Sequence, residues 1–224
     1  MGVFYYLLNM IVIFTYNREQ MLRDLAAECK AISDHVHIID DGSEYQHTWI
    51  RGATIHVFEH GGKPLFWNRW DHALKLASES QDDFFLFLPD DYSQIDFDGI
   101  HEFHRRQSTD NPYICNVAND GRGPQWTTAK QVIIDEVVEW VGWTDCSFFC
   151  NRAALEAIGF GMLEVPASRF RVDNISSGVG QQLTQRFNRA GVPMYRPFKS
   201  FAFHGDHESV MHPEERKRNP LITR

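Results

Sequence analysis

Apolar residues in the first part of the chain form short continuous runs that alternate with segments of helical spacing. The runs are rich in β-branched and aromatic residues, which is typical of buried strands, and they lie at residues 3–14, 35–39, 54–58 and 84–88. Segments 18–33 and 67–80 carry apolar residues three and four positions apart, which predicts amphipathic helices. Strands that alternate with helices predict right-handed βαβ units, and therefore an α/β fold with a mostly parallel sheet between helices.

The second part of the chain is less regular. Residues 131–141 are rich in Val and Ile, which favours a strand over a helix. Segments 152–158 and 181–189 have helical spacing, and glycines at 159 and 191 follow them as helix-ending residues. Since no repeat, low-complexity tract or interdomain linker divides the chain, we expect a single domain.

Composition is that of an ordinary globular protein, with 43% hydrophobic and 23% charged residues among 224. The first apolar run lacks a basic start and is shorter than the ~20 residues of a membrane helix. We therefore expect a cytoplasmic protein with no membrane segment. Four cysteines without a dense spacing pattern are then expected to be buried free thiols.

Charge is distributed unevenly along the sequence. The formal net charge of −8 excludes a globally basic nucleic-acid binder, because non-specific phosphate binding needs a surplus of Lys and Arg. Residues 1–149 contain 23 acidic and 11 basic residues, whereas residues 150–224 contain 7 acidic and 11 basic residues. The second part of the chain therefore remains compatible with a polyanionic partner.

Polar clusters follow three of the predicted strands directly: residues 15–17, Asp40-Asp41 and Asp90-Asp91. The carboxyl ends of parallel strands share one edge of the sheet, which is where α/β proteins bind ligands. Adjacent carboxylates at the end of a buried strand repel each other, and a hard divalent cation such as Mg²⁺ or Mn²⁺ would relieve that repulsion. The alternative is a solvated turn, for which Pro-Asp-Asp is a common composition.

Several segments, taken in order, resemble a known family. IVIFTYNREQMLRDL, HIIDDGSE and FLFLPDDY resemble the nucleotide-sugar-binding half of GT-A-fold glycosyltransferases, especially the inverting class called family 2. CNRAALEAIGF and GQQLTQRFNRAGVPMYRP resemble the acceptor-side half. The resemblance implies a Rossmann-like GT-A domain over residues 1–224 that acts as a hexosyltransferase, with residues 1–105 binding the nucleotide sugar and residues 106–224 binding the acceptor.

For the nucleoside of the donor, the resemblance implies roles for five residues. Thr15 and Tyr16 stand where the family's first loop packs on the base. Asp40 stands where an aspartate accepts the uracil N–H, and Asp41 follows it. Asp90 would face the ribose. The implied donor is therefore a UDP-sugar, while an Asx turn before the following glycine is the structural alternative for the first acidic pair.

For the diphosphate and its metal, the resemblance implies a second set. Lys63 and Arg69 stand where the family often places a basic residue on the diphosphate. Asp91 would hold the Mn²⁺ or Mg²⁺, with His204 as a further ligand and His207 as its close competitor. Metal and basic residues would together offset the charge that develops on the leaving group.

The resemblance fails at the general base. Inverting family members carry Glu-Asp just before a late helix, whereas here Val179 and Gly180 occupy that place within SSGVGQQL. An inverting mechanism therefore needs another carboxylate to take the acceptor proton. Asp145, which follows two tryptophans, is our first candidate and Asp173 the second. A retaining mechanism would need no such base, so the stereochemical outcome stays open.

Two acceptor classes compete, a 5-hydroxymethylpyrimidine in DNA and a saccharide or glycoconjugate. The SSGVG stretch and the His-rich basic tail resemble compact phage-encoded glycosyltransferases that modify DNA bases, and we favour DNA. DNA binding needs stacking aromatics and a basic surface. Trp126, Trp140 and Trp143 are the aromatic candidates. The basic candidates are Arg169, Arg171, Arg186, Arg189, Arg196, Lys199, Arg216, Lys217 and Arg218.

Two other classes of protein share parts of this pattern. A nucleotidyltransferase would have a glycine-rich loop after the first strand, and TYNREQ contains no glycine. A nucleotide-sugar-binding module without catalysis would explain the missing general base. The acidic pair argues against such a module, because binding alone has less need of a metal.

Overall fold

A nine-stranded sheet forms the centre of the part of the chain that the structure, a computed structural model, describes: residues 10–107, 110–119, 132–133, 138–144, 146–171 and 176–205. The strands are β1 (Met10–Thr15), β2 (His35–Asp40), β3 (Thr54–Val57), β4 (Phe84–Pro89), β5 (Tyr92–Ser93), β6 (Ile114–Asn116), β7 (Val132–Ile133), β8 (Val138–Val141), β9 (Phe148–Asn151), β10 (Met194–Pro197) and β11 (Phe203–His204). The α-helices are α1 (Glu19–Lys30), α2 (Gly62–Glu79), α3 (Phe97–Arg106), α4 (Arg152–Ala157) and α5 (Val179–Arg189).

The strand order in the sheet is β3-β2-β1-β4-β9-β6-β10-β8-β7, and β5 pairs separately with β11. Strands β3, β2, β1 and β4 run parallel to one another. Strand β9 is antiparallel to both of its neighbours, and β8 is antiparallel to β10 and β7. The predicted α/β class in a single domain is confirmed, with the parallel pairing concentrated in the first four strands.

Strand β1 lies inside the sheet, between β2 and β4, and all six of its residues are buried. Val12 and Phe14 face the core layer that contains Trp70 of α2, whereas Ile11 and Ile13 face the layer that contains Leu22 of α1. Both faces of the strand are thus covered by apolar side chains, which explains its continuous rather than alternating apolar pattern.

Most predicted elements are found with shifted ends. Helix α2 begins at Gly62, five residues before the predicted start, and includes Pro64 in its first turn. Proline is tolerated there because the missing N–H would have no partner within the helix. The preference for strand over helix in 131–141 is confirmed, but the single strand is wrong, because β7 and β8 are two strands that pair antiparallel with each other. Residues 134–137 and 1–9 lie outside the described part of the chain.

Helix α3 was not predicted from the sequence. It is only ten residues long and buries two of them, Ile100 and Phe103. The Asp96 side chain caps it by accepting a hydrogen bond from the Gly99 amide. Such a cap is a local signal that the apolar pattern alone does not carry.

The prediction for the cysteines is confirmed in its main part. All four are free thiols; Cys29, Cys115 and Cys150 are buried, and Cys146 is half-buried. Burial raises the pKa of the Cys29 and Cys150 thiols. Within the described residues, the helices are too short or too polar to cross a bilayer.

Candidate functional site

The ends of β1, β2 and β4 meet at one edge of the sheet, as the sequence predicts. The Asp90 amide donates to the Phe14 carbonyl over 3.0 Å, and the Asp41 amide donates to the Thr15 carbonyl over 3.0 Å. The backbone therefore carries both acidic pairs to either side of the end of β1. This parallel register brings three sequence segments together that are far apart along the chain.

Arg18 lies between the two carboxylates of the second acidic pair. Its Nη1 atom is 3.1 Å from Asp90 Oδ1 and 3.0 Å from Asp91 Oδ2, and no more than 9% of any of the three side chains is exposed. Sequence reasoning missed Arg18. The signal was its place in TYNR, in the loop after β1 at the same edge as the acidic pair.

Thr15 contacts Asp90 from the opposite side. Its hydroxyl donates to Asp90 Oδ2 over 2.7 Å and lies 3.3 Å from the Tyr45 hydroxyl. Burial raises the pKa of Asp90 to about 6, because the charge of Arg18 and the hydrogen bond from Thr15 offset the cost of burial only in part, and the charge of Asp91 adds to the increase. Asp90 is therefore the weaker acid of the pair.

Asp91 has the opposite behaviour. Burial opposes its ionisation, but hydrogen bonding to His204 and the charge of Arg18 outweigh burial and lower its pKa to about 2. His204 Nε2 is 3.4 Å from Asp91 Oδ1. Pairing of β11 with β5 places His204 opposite Tyr92, so the structure brings together two residues that the resemblance implied as partners.

Asp40 is held by the loop that follows it. Its carboxylate accepts from the Ser43 amide over 3.1 Å, from the Ser43 hydroxyl over 2.6 Å and from His47 Nε2 over 2.7 Å. The residue is fully buried. These bonds form the Asx-type turn that was the structural alternative, and the predicted contact to a uracil N–H stays a prediction.

Asp41 and Arg69 form a buried ion pair. Arg69 Nε donates to Asp41 Oδ1 over 2.7 Å, and the amides of Gly61 and Gly62 also donate to this carboxylate. The Arg69 guanidinium also donates to the Glu59 carbonyl, and only 4% of the residue is exposed. The pair ties α2 to the end of β2, and the predicted role of Arg69 on a diphosphate stays a prediction.

An aromatic pair lies beside Asp41. The rings of Tyr16 and His60 stack with centroids 4.0 Å apart and an interplanar angle of 14°. His60 Nδ1 is 3.1 Å from the Asp41 carbonyl oxygen, and about half of the His60 side chain is exposed. Tyr16 was predicted as a base-stacking residue and His60 was not. Lys63, predicted on the diphosphate, lies close by in the first turn of α2.

The acceptor-side loop between β8 and β9 is fixed from within. The Thr144 hydroxyl donates to Asn116 Oδ1 over 2.7 Å, and Asn116 Nδ2 donates to the Trp143 carbonyl over 3.2 Å. Trp143 is half-buried and Trp140 is 40% exposed. Several residues predicted for catalysis, metal binding or the acceptor lie outside the described residues, namely Asp145, Asp173, His207, Trp126, Arg216, Lys217 and Arg218.

Five of the basic candidates of the second half divide into two groups. Arg169 donates to the Ser176 hydroxyl, Arg186 to the Ile158 carbonyl, and Arg196 pairs with the buried Glu139. Arg189 and Lys199 are exposed. Of the first group, Arg196 is buried and the other two are half-buried, so the second group is the more accessible one.

The predicted divalent cation does not fit the residues as they are arranged. Carboxylate and imidazole groups are suitable ligands in type. Among the residues that the structure describes, however, no three or more His, Cys, Asp or Glu side chains are placed to hold a metal ion together. Instead, one nitrogen of Arg18 lies between Asp90 Oδ1 and Asp91 Oδ2.

No protein-family model matches the sequence, and no curated protein matches it. A197 from STIV aligns with 88% of this chain and 85% of its own at 14% identity and a TM-score of 0.46. Glucosyl-3-phosphoglycerate synthase from Mycobacterium tuberculosis, in complex with phosphoglyceric acid, aligns with 84% of this chain and 81% of its own at 12% identity and a TM-score of 0.42. A mycobacterial protein aligns with 90% of this chain and 68% of its own at 13% identity and a TM-score of 0.53. This last likeness shows a shared fold alone.

Proposed function

We propose that the chain transfers a hexose from a nucleotide sugar, which we expect to be a UDP-sugar, to a hydroxyl acceptor. The observation that carries the proposal is the convergence of Arg18, Asp90, Asp91 and His204 where β1 and β4 end. Ligands of α/β sheets bind at this edge. The ordered resemblance of the surrounding segments to family 2 glycosyltransferases supports the same conclusion.

In the proposed reaction the acceptor hydroxyl oxygen forms a bond to the anomeric carbon, and the bond between that carbon and the diphosphate oxygen breaks. The hydroxyl proton passes to a base or to solvent, and the nucleoside diphosphate leaves with added negative charge. Cationic groups near the leaving oxygen lower the barrier by stabilising that charge. Arg18 lies at this sheet edge, but Asp90 and Asp91 offset its charge. Lys63, in the first turn of α2, and Arg69, which pairs with Asp41, are the two basic residues proposed for the diphosphate.

The stacked rings of Tyr16 and His60 support a site for the nucleotide base. A flat aromatic surface at the strand edge can receive the face of a base, and the ribose would then lie toward Asp90. A uracil contact to Asp40 requires one of its bonds to Ser43 or His47 to open. The predicted Mn²⁺ or Mg²⁺ on Asp91, with His204 or His207, does not fit the arrangement around Arg18, so no step of the proposal depends on it. Asp145 and Asp173 as general bases remain predictions from the sequence.

For the acceptor we propose a 5-hydroxymethylpyrimidine in DNA, with a saccharide as the second candidate. Exposed Trp140 supports both, because an indole face stacks on bases and on sugar rings alike. The basic surplus of residues 150–224 favours the polyanion.

A panel of UDP-sugars tests the class of reaction. UDP release is measured without acceptor, in EDTA and with MnCl₂ or MgCl₂, and then with duplex DNA containing 5-hydroxymethylcytosine, followed by nucleoside mass spectrometry. We expect release with at least one donor and a sugar-modified nucleoside as the product.

Asp91→Asn tests the site because it removes the carboxylate charge that faces Arg18 and His204. Asp98→Asn is its control because Asp98 is an exposed aspartate on α3. We expect Asp91→Asn to lose at least 100-fold in UDP release and Asp98→Asn to lose less than twofold. Nucleotide binding without release by any donor would favour the non-catalytic module instead. Absence of both binding and release would refute the proposal.

A further inference from the structure

Two adjacent buried carboxylates need a compensating positive charge. Asp90 is 4% exposed and the Asp91 side chain 9% exposed, so water screens them weakly. Each outer oxygen already faces another group: Asp90 Oδ2 accepts from Thr15, and Asp91 Oδ1 lies against His204. The two inner oxygens, Asp90 Oδ1 and Asp91 Oδ2, both face the same Arg18 nitrogen.

The Arg18 backbone is fixed while its side chain spans the gap. Asn17 adopts a left-handed conformation with φ of 51°. Its amide donates to the Ser43 hydroxyl over 2.8 Å, and its side-chain oxygen accepts from the Glu44 amide over 2.8 Å. Arg18 then starts α1 as the N-cap residue. These contacts hold the backbone before Arg18, so the guanidinium can leave the two carboxylates by rotation of its own side chain.

We propose that Arg18 and a divalent cation exclude each other at Asp90 and Asp91. The guanidinium is the cation of the unliganded chain, and it occupies the space between the two oxygens to which a metal ion would bind. Divalent cations consequently bind the wild-type chain weakly, since binding requires Arg18 to leave a buried pair of ion contacts. An effect of this exclusion on binding of the nucleotide sugar would rest on the proposed function. The exclusion itself is measured without nucleotide.

Titration of MnCl₂ into the full chain, followed by calorimetry and by the electron paramagnetic resonance of free Mn²⁺, tests the exclusion. Arg18→Met removes the guanidinium and keeps a side chain of similar length. We expect Mn²⁺ to bind Arg18→Met at least tenfold more tightly than the wild type. Arg106→Met is the charge-matched control, because Arg106 pairs with Glu102 on the surface of α3; its affinity for Mn²⁺ should equal that of the wild type.

Arg18→Lys keeps the test decisive if Arg18→Met does not fold. One ammonium makes fewer directed bonds than a guanidinium, so we expect Mn²⁺ affinity about threefold above the wild type. Adding Asp91→Asn to either variant should abolish the gain. Equal affinities in wild type and both Arg18 variants, or no Mn²⁺ binding by any variant, would overturn the exclusion. Either result leaves UDP release as a separate measurement of the proposed function.

Discussion

Thr15 connects the end of the central strand to the acidic pair. Its hydroxyl is a buried donor to Asp90, and Asp90 retains a raised pKa despite that bond and the charge of Arg18. Each of these contacts therefore limits the cost of holding a carboxylate inside the protein.

Thr15→Val should destabilise the chain by about 1–2 kcal/mol, because it removes the hydrogen bond to Asp90 without changing side-chain shape. The free energy of unfolding is measured in urea at pH 7.5. Thr54→Val on β3 is the control, since Thr54 is exposed and should change stability by less than about 0.5 kcal/mol. Equal effects of the two substitutions would contradict a supporting role for Thr15.

The sequence was sufficient to predict that Thr15, Asp90 and Asp91 lie at one sheet edge, since strand ends follow from apolar runs. The resemblance to a known family added His204. The sequence was not sufficient to decide which partner each polar group takes. Arg18 competes for the acidic pair only in three dimensions, across 72 residues of sequence.

At the scale of elements, α2 is joined to the sheet by polar contacts as well as by its apolar face. Trp70 stacks on Phe14 with centroids 4.6 Å apart. Beside them, Arg69 donates to Asp41 and to the carbonyl of Glu59. The predicted helix and the predicted acidic pair are both present, but the contacts between them were not predicted. Helix α2 starts earlier than predicted, and this start places the amides of Gly61 and Gly62 on Asp41.

Arg69→Met should cost about 3 kcal/mol or more of stability, because it leaves the buried Asp41 carboxylate without its cation. Urea unfolding measures this change. Lys75→Met on the same helix removes an exposed pair with Asp71 and should leave the free energy of unfolding nearly unchanged. Unchanged stability of Arg69→Met together with weakened UDP binding would instead support the role on the diphosphate that the resemblance implies.

Three histidines connect β2, β3 and α2 near the edge of the sheet that β3 forms. His37 Nδ1 is 3.1 Å from His56 Nε2, and His56 Nδ1 is 3.1 Å from His72 Nε2. Burial, and then the neighbouring imidazoles, lower the pKa of His37 to about 4, and burial also lowers the pKa of His56 and His72. The folded chain thus favours the neutral cluster.

Stability should therefore fall in mildly acidic solution. An unfolded histidine titrates near its ordinary pKa of about 6.5. The stabilisation is full above that pH and is lost as the pH falls toward 4, because the unfolded chain takes up protons first. His37→Gln should lose about 1 kcal/mol less than the wild type between pH 7.5 and 5.0, allowing for solvent screening of a half-buried group. Parallel pH profiles of unfolding in the two proteins would contradict this.

At the scale of the whole molecule, acidic and basic residues are separated along the chain. Residues 1–149 contain the two acidic pairs, and residues 150–224 contain the basic surplus. The sequence shows this separation, but the structure reduces the number of basic side chains that are available to a partner. Arg169, Arg186 and Arg196 contact other groups of the chain. Arg189 and Lys199, both exposed, are the described residues best able to contact a polyanion.

If DNA is the acceptor, Arg189→Gln combined with Lys199→Gln should weaken duplex binding and make it less sensitive to salt. Removing one cation that neutralises a phosphate lowers the slope of log K against log salt by about 0.9, so the double variant should lower it by about 2. Fluorescence anisotropy at several NaCl concentrations measures the slope. Arg105→Gln combined with Arg106→Gln removes equal charge from α3, where both side chains pair with Glu102, and should leave the slope unchanged. Equal slopes in all three proteins would contradict phosphate contacts by Arg189 and Lys199, whereas no duplex binding by the wild type would favour a saccharide acceptor.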